Sequence, residues 1–207
     1  MHWDDLLDRA ARLANDGTRR ILGIAGPPGA GKSTVAARLG AALTDAGAAV
    51  TVVPMDGFHL ADAELHRLGR HARKGAPDTF DGAGFVALLR RLRSETDGVV
   101  YAPVFRREIE EPIAGAIPVP PETRLVITEG NYLLVPDGVW GGVRGLLDEA
   151  WFLALDEAER LRRLVARHMA FGRDEAEARE RALGSDQANA ELIATTRGRA
   201  DLIVPLT

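Results

Sequence analysis

No cysteine occurs anywhere in the 207 residues, so disulfide bonds, thiolate metal ligands and cysteine nucleophiles are all excluded. That absence suits a reducing compartment, and a cytoplasmic location is the expectation. Lysine is almost absent too, for of 26 basic residues only Lys32 and Lys74 are lysines. An arginine-biased composition accounts for the scarcity, yet both survivors stand in segments that carry other marks of function. A basic excess is also missing: 26 Lys+Arg against 30 Asp+Glu leave a net charge of -4, and with it no global positive field for nucleic acid or an anionic membrane. Residues Met1 to Asn15 alternate charge with Leu and Ala at helical spacing and show neither a long apolar run nor a small-residue cleavage signal. No membrane insertion is expected.

What is present is an alternation of helical and strand-like apolar patterns, with 46% apolar residues to fill one substantial core. The expectation is a single α/β domain over 1–207 with a mostly parallel sheet and helices on both faces. Strands are predicted at Ile21–Ala25, Val50–Pro54, Leu125–Thr128, Ala150–Leu155 and Leu202–Val204. Helices are predicted through Asp16, from the glycine-rich turn to Asp45, over Gly84–Arg93, and over Glu157–Phe171, Glu175–Leu183 and Asp186–Thr196. Leu60 to Phe80, punctuated by Gly69, Gly75 and Pro77, reads as a helix followed by a loop. Val99 to Val119 holds four β-type stretches broken by prolines, which points to a small edge hairpin or arm instead of a central strand.

One motif carries specific chemistry. Gly26-Pro27-Pro28-Gly29-Ala30-Gly31-Lys32-Ser33 fits G-x-x-x-x-G-K-[ST] and stands between an apolar strand and a helix, as that pattern requires. Its glycines let successive N–H groups turn inward onto phosphate oxygens at a helix N-terminus. Lys32 then reaches the β and γ phosphates, and Ser33, with Thr34 beside it, offers a hydroxyl to Mg²⁺. ATP and Mg²⁺ are the expected ligands. Neither lysine sits in an Asn-Lys-x-Asp guanine-reading segment, so a switch GTPase ranks last among nucleotide users.

Two further strands end in carboxylates. Val53-Pro54-Met55-Asp56-Gly57-Phe58-His59 puts Asp56 just past the second strand, where it can act as general base toward a hydroxyl acceptor, or close a turn on its own backbone. His59 can bond the acceptor or simply pack. The third strand ends in Glu129, which can serve Mg²⁺ through water or contact the acceptor directly. Arg160, Arg163 and Arg167 share a helical face, with Gly172 as hinge and Arg173 beyond it. That face is either a solvated surface paired with Glu157 and Glu159 or a lid over ATP, with Arg167 and Arg173 the better placed for the transferred phosphoryl group. In the acceptor region Lys74, Arg73, Arg106 and Arg107 supply donors, Asp78 and Asp81 acceptors, and Tyr101, Phe80 and Phe105 apolar walls. A polyol, sugar or nucleoside suits that mixture, and a sugar phosphate suits its basic members.

Taken together, the P-loop, Met55–His59, Arg73–Asp81, Tyr101–Arg106 and Thr128–Tyr132 resemble the phosphoribulokinase/uridine kinase family of P-loop kinases, which includes bacterial pantothenate kinases. The motif wording is similar to nucleoside/nucleotide kinase-like proteins and to kinases attached to fructose transport. The resemblance implies a three-layer P-loop NTPase fold with a helical lid at about 160–185 and an acceptor side at about 56–120. It supports Asp56 as base and implies that Lys74, Asp78, Phe80, Asp81 and Arg106 lie near a small-molecule acceptor. It also implies that Arg197 to Asp201 line the adenine pocket. Family members often pair, which makes a homodimer one expectation, with the Pro103–Pro120 arm as the natural contact. The competing expectation is a nucleotide-dependent regulatory or sugar-sensing protein with little turnover.

Overall fold

A computed structural model describes residues 2–206; Met1, included in the N-terminal reading above, lies outside them. Five parallel strands form the central sheet: β1 (Arg20–Ala25), β2 (Val50–Pro54), β5 (Leu125–Gly130), β6 (Glu149–Ala154) and β7 (Leu202–Pro205), in the spatial order β2-β5-β1-β6-β7. Their apolar runs are continuous because both faces are covered. The period of two divides them cleanly. Leu22, Ile24, Leu125, Ile127, Trp151 and Leu153 join α1 (Trp3–Ala14) and α2 (Lys32–Asp45) in one core. Ile21, Ala25, Val126, Ala150 and Phe152 face the other core with α4 (Gly82–Ser94). Each fully buried Leu, Ile or Val contributes about 1.5–3 kcal/mol.

The proline-rich segment takes the arm form of its expectation. β3 (Val100–Arg106) and β4 (Glu111–Val119) pair antiparallel as a separate two-stranded sheet, not at the edge of the central one. Pro103, Pro112 and Pro118 withhold N–H donors that an edge strand of the main sheet would use, and a register shift between Ala102 and Val104 bends the ribbon. The ribbon instead lies across the 3₁₀ turn Met55–Phe58, so closely that a Cβ on Gly57 would stand 2.4 Å from the Pro103 carbonyl oxygen. Between that turn and α4 lie only a short α3 (Asp62–Arg67) and two further 3₁₀ turns. Three helices, α5 (Glu157–Ala170), α6 (Glu175–Leu183) and α7 (Ser185–Ala194), follow β6. Gly172 takes a left-handed φ of 93° between the first two, and Gly184 separates the last two. No helix among the described residues is long and apolar enough to cross a membrane.

Candidate phosphoryl-transfer site

Strand order does what no single motif can. Because β5 lies between β1 and β2, Ala25 stands opposite Gly130, and Pro54 opposite Glu129. The glycine loop leaving β1, the end of β5 and the turn after β2 therefore emerge side by side, at the carboxyl edge where open α/β sheets bind ligands. Gly26, Gly29 and Gly31 take positive φ values of 153°, 84° and 88°. Gly31 is the N-cap of α2 and no side chain caps that helix, so its first N–H groups remain open to an anion. Lys32 is buried, its Nζ donating to the Pro27 carbonyl at 3.1 Å, and Ser33 Oγ donates to Glu129 Oε1 at 2.8 Å.

A cleft of about 400 Å³ opens above these groups. Its floor is Lys32, Ser33, Asp56 and Glu129; His59, Phe80 and Phe105 form an aromatic wall, and Arg167, Phe171 and Arg173 close it from the lid side. A second groove of about 460 Å³ runs outside the glycine loop past Thr34, Val35, Arg163 and Leu206. Electrostatics at the floor are strained. Burial lifts Glu129 to about 6, helped by the Asp56 charge and opposed by Lys32. Burial likewise pulls Lys32 down to about 8, against the support of Glu129 and Asp56. Arg167 is also held below its ordinary value, first by burial and then by Arg107. His59 is pushed down chiefly by burial; its Nδ1 lies 2.7 Å from the Asp56 carbonyl and its ring 4.0 Å from Phe80 and 4.6 Å from Phe105.

Several expected residues stand elsewhere. Tyr101 is 57% exposed on β3 and Arg106 is exposed at its end, and neither lines the cleft. Side chains alternate along a strand, so with Phe105 facing in, Arg106 faces out and Arg107 returns to the cleft. Asp78 is taken up by Arg73 and Arg70, and Asp81 caps α4 by accepting from the Gly84 N–H at 2.8 Å. Lys74 does line the cleft, tied to Asp62 and to the Glu110 carbonyl. Arg197 lines a different groove with Pro27, Leu155 and Ala194, and Asp201 is occupied by Arg144 and the Ala150 N–H. Arg160 shares no cleft-facing side with Arg167: only 1% exposed, it runs behind the glycine loop and donates to the Pro28 carbonyl at 3.2 Å.

The cleft also holds residues not selected from sequence: Asn131, His168, Arg181 and Asp186. Asn131 sits inside the Thr128–Tyr132 segment and could have been taken with it. His168 and Asp186 meet at 2.7 Å, and Arg181 donates to the Lys74 carbonyl at 2.7 Å. These contacts between distant segments leave no local signal.

A family model for the methylmalonyl-CoA mutase-associated GTPase MeaB matches residues 3–59, the part containing α1, the glycine loop and β2. That is well under half of the chain, and it stops short of β5 and the lid. A Schizosaccharomyces pombe protein provisionally named a uridine kinase is 34% identical, over 98% of this chain and 89% of its own. A crystal structure from Silicibacter sp. TM1040, provisionally described as a fructose transport system kinase, is 38% identical and covers 99% of this chain and 100% of that one, with a TM-score of 0.88. Phosphoribulokinase from Rhodobacter spheroides, at 14% identity over 91% of this chain and 70% of its own, shares the fold with a TM-score of 0.65. With full-length relatives of this kind, and with the glycine loop, Asp56 and Glu129 gathered at one sheet edge, the chain belongs to the phosphoribulokinase/uridine kinase family of P-loop kinases.

Proposed function

We propose that this chain transfers the terminal phosphoryl group of ATP to a hydroxyl of a small polar metabolite, with Asp56 as the base. The observation that carries this reading is the position of Asp56, on the floor of the cleft beside Lys32, Ser33 and Glu129. A carboxylate there can orient an acceptor hydroxyl and take its proton as the oxygen attacks phosphorus. The uncapped start of α2 and the buried Lys32 ammonium fit the phosphates of the nucleotide. Ser33 and Glu129 present the hard oxygen donors that suit Mg²⁺, which when bound neutralises phosphate charge. Among the described residues no group of three or more His, Cys, Asp or Glu is gathered for a metal. Such a site fits an ion that fills most of its shell with phosphate and water. Arg167 and Arg173, on either side of Gly172, would meet charge on the transferred group from the lid. The adenine of ATP would sit in the outer groove near Arg163 and Leu206.

The acceptor side supports a polyol, sugar or nucleoside: the mutually tilted rings of His59, Phe80 and Phe105 give an aromatic wall, while Lys74, Asn131 and Asp56 give hydrogen-bonding groups. The test is incubation with ATP and Mg²⁺ against sugars, polyols, nucleosides, pantothenate and sugar phosphates, with ADP and phosphorylated product both detected by mass. Product from one class is the expected result; ATP binding with no product anywhere would instead favour the sensing protein.

The floor charges set a pH window. Lys32 is cationic below about 8 and Glu129 anionic above about 6. The profile of kcat/KM for ATP, which reports the free enzyme, should therefore be bell-shaped. It should fall below about 6 as Glu129 protonates and above about 8 as Lys32 loses its charge. A flat profile across that range would contradict these roles.

A further inference from the structure

Among the described residues, the cleft and the outer groove share four lining side chains: Lys32, Ser33, Arg167 and Arg107. A phosphoryl group moving from nucleotide to acceptor must cross the boundary between these cavities, so whatever lines both is in reach of it. The first three already have phosphate-handling roles in the proposed function. Arg107 has none. It comes from the tip of the β3–β4 ribbon, far from the glycine loop in sequence, and one of its terminal nitrogens lies 3.3 Å from Asp56 Oδ2. Its guanidinium also lies 5.8 Å from the ring centroids of both Phe105 and Phe171, the second at the end of the lid helix α5.

We propose that Arg107 is a further catalytic residue, a guanidinium that rests on Asp56 in the free protein and moves onto the transferring phosphoryl group when both substrates are bound. The inference rests on the transferase reading above. In the reaction the acceptor hydroxyl gives its proton to Asp56, its oxygen forms the new bond to the γ-phosphorus, and the bond from that phosphorus to the β,γ-bridging oxygen breaks, leaving the electron pair on ADP. Arg107 gains its strongest contacts as charge spreads over the equatorial oxygens, since the fork geometry of arginine matches phosphate. Its departure also bares Asp56 for the hydroxyl. The free protein thus keeps its base covered until phosphate competes for the cation. The hairpin contributes to catalysis through this side chain as well as through the acceptor wall.

Arg107→Ala and Arg107→Lys would be compared with wild type for kcat, acceptor KM, ATP Kd and melting temperature, using the acceptor found in the panel. Arg107→Ala should lower kcat by about 10²–10³-fold, the range for removing one transition-state donor. ATP Kd, acceptor KM and melting temperature should stay near wild type, and Arg107→Lys should recover part of kcat. A kcat within a few-fold of wild type, a loss confined to acceptor KM, or a loss that tracks melting temperature in both variants would overturn the proposal. If wild type itself phosphorylates no acceptor, the transferase reading fails and takes this role with it; a failure of Arg107 alone leaves wild-type turnover intact.

Discussion

Asp56→Asn is expected to lower turnover by about 10²–10⁴-fold, the usual contribution of a positioned general base, while ATP binding stays unchanged or tightens. The amide is nearly isosteric and can still accept a hydrogen bond, but it cannot take the proton that the hydroxyl must lose. The direction of the binding effect follows from charge: removing an anion from the cleft floor removes a repulsion felt by the phosphates. The same substitution has a second signature. Asp56 helps raise Glu129 to about 6 and supports the charge on Lys32 at about 8. Without it both groups titrate lower, so the residual activity should have its optimum displaced toward acid. Steady-state kinetics across pH, with ATP affinity measured separately, would check all three outcomes. Undiminished transfer would remove Asp56 from the role of base.

How far the sequence could be read depended on whether a feature is made by the local backbone or by the meeting of distant segments. The glycine loop is local: Gly26, Gly29 and Gly31 all take the positive φ values that their motif demands. The apolar strands were legible for the same reason, since β1 and β5 are buried along nearly their whole length. Asp56 and Glu129 could each be picked out at the end of an apolar run. Their adjacency could not, because it depends on β5 entering between β1 and β2. On the ribbon, a one-residue difference decides everything. Arg106 and Arg107 are chemically equal in the sequence, and only the pleat and the end of β3 decide which one enters the cleft. The lid residues fail in another way. The spacing of Arg160, Arg163 and Arg167 reads as one charged face, whereas the packing of α5 against the glycine loop separates their fates.

Arg160 makes that separation testable. A Cβ on Gly29 would lie 2.8 Å from the Arg160 carbonyl oxygen, so the backbone of α5 presses directly on the loop. The Arg160 side chain then fills the space behind it, bonded to the Pro28 carbonyl, Glu157 and Gln187. Arg160→Met keeps much of the volume and removes every donor. Glu157 is 58% exposed at its side chain and can turn to water. The half-buried Gln187 amide oxygen can likewise find water, but the buried Pro28 carbonyl is left behind, and a buried polar group stranded in this way costs about 1–3 kcal/mol. A loss of about 1–3 kcal/mol follows, and at about 2–4 °C per kcal/mol for a chain of this size the melting temperature should fall by about 2–12 °C. ATP affinity should fall with it, since Pro28 belongs to the loop. Arg167→Met should behave in the opposite way. That guanidinium is half-buried beside Arg107 and partly desolvated in the free protein, so its removal should leave the melting temperature equal or higher while turnover drops. Thermal melts and kcat on the two variants decide the matter: if Arg160→Met melts like wild type, or Arg167→Met loses stability with its activity, the division of α5 into an anchor and a phosphoryl-facing arginine is wrong.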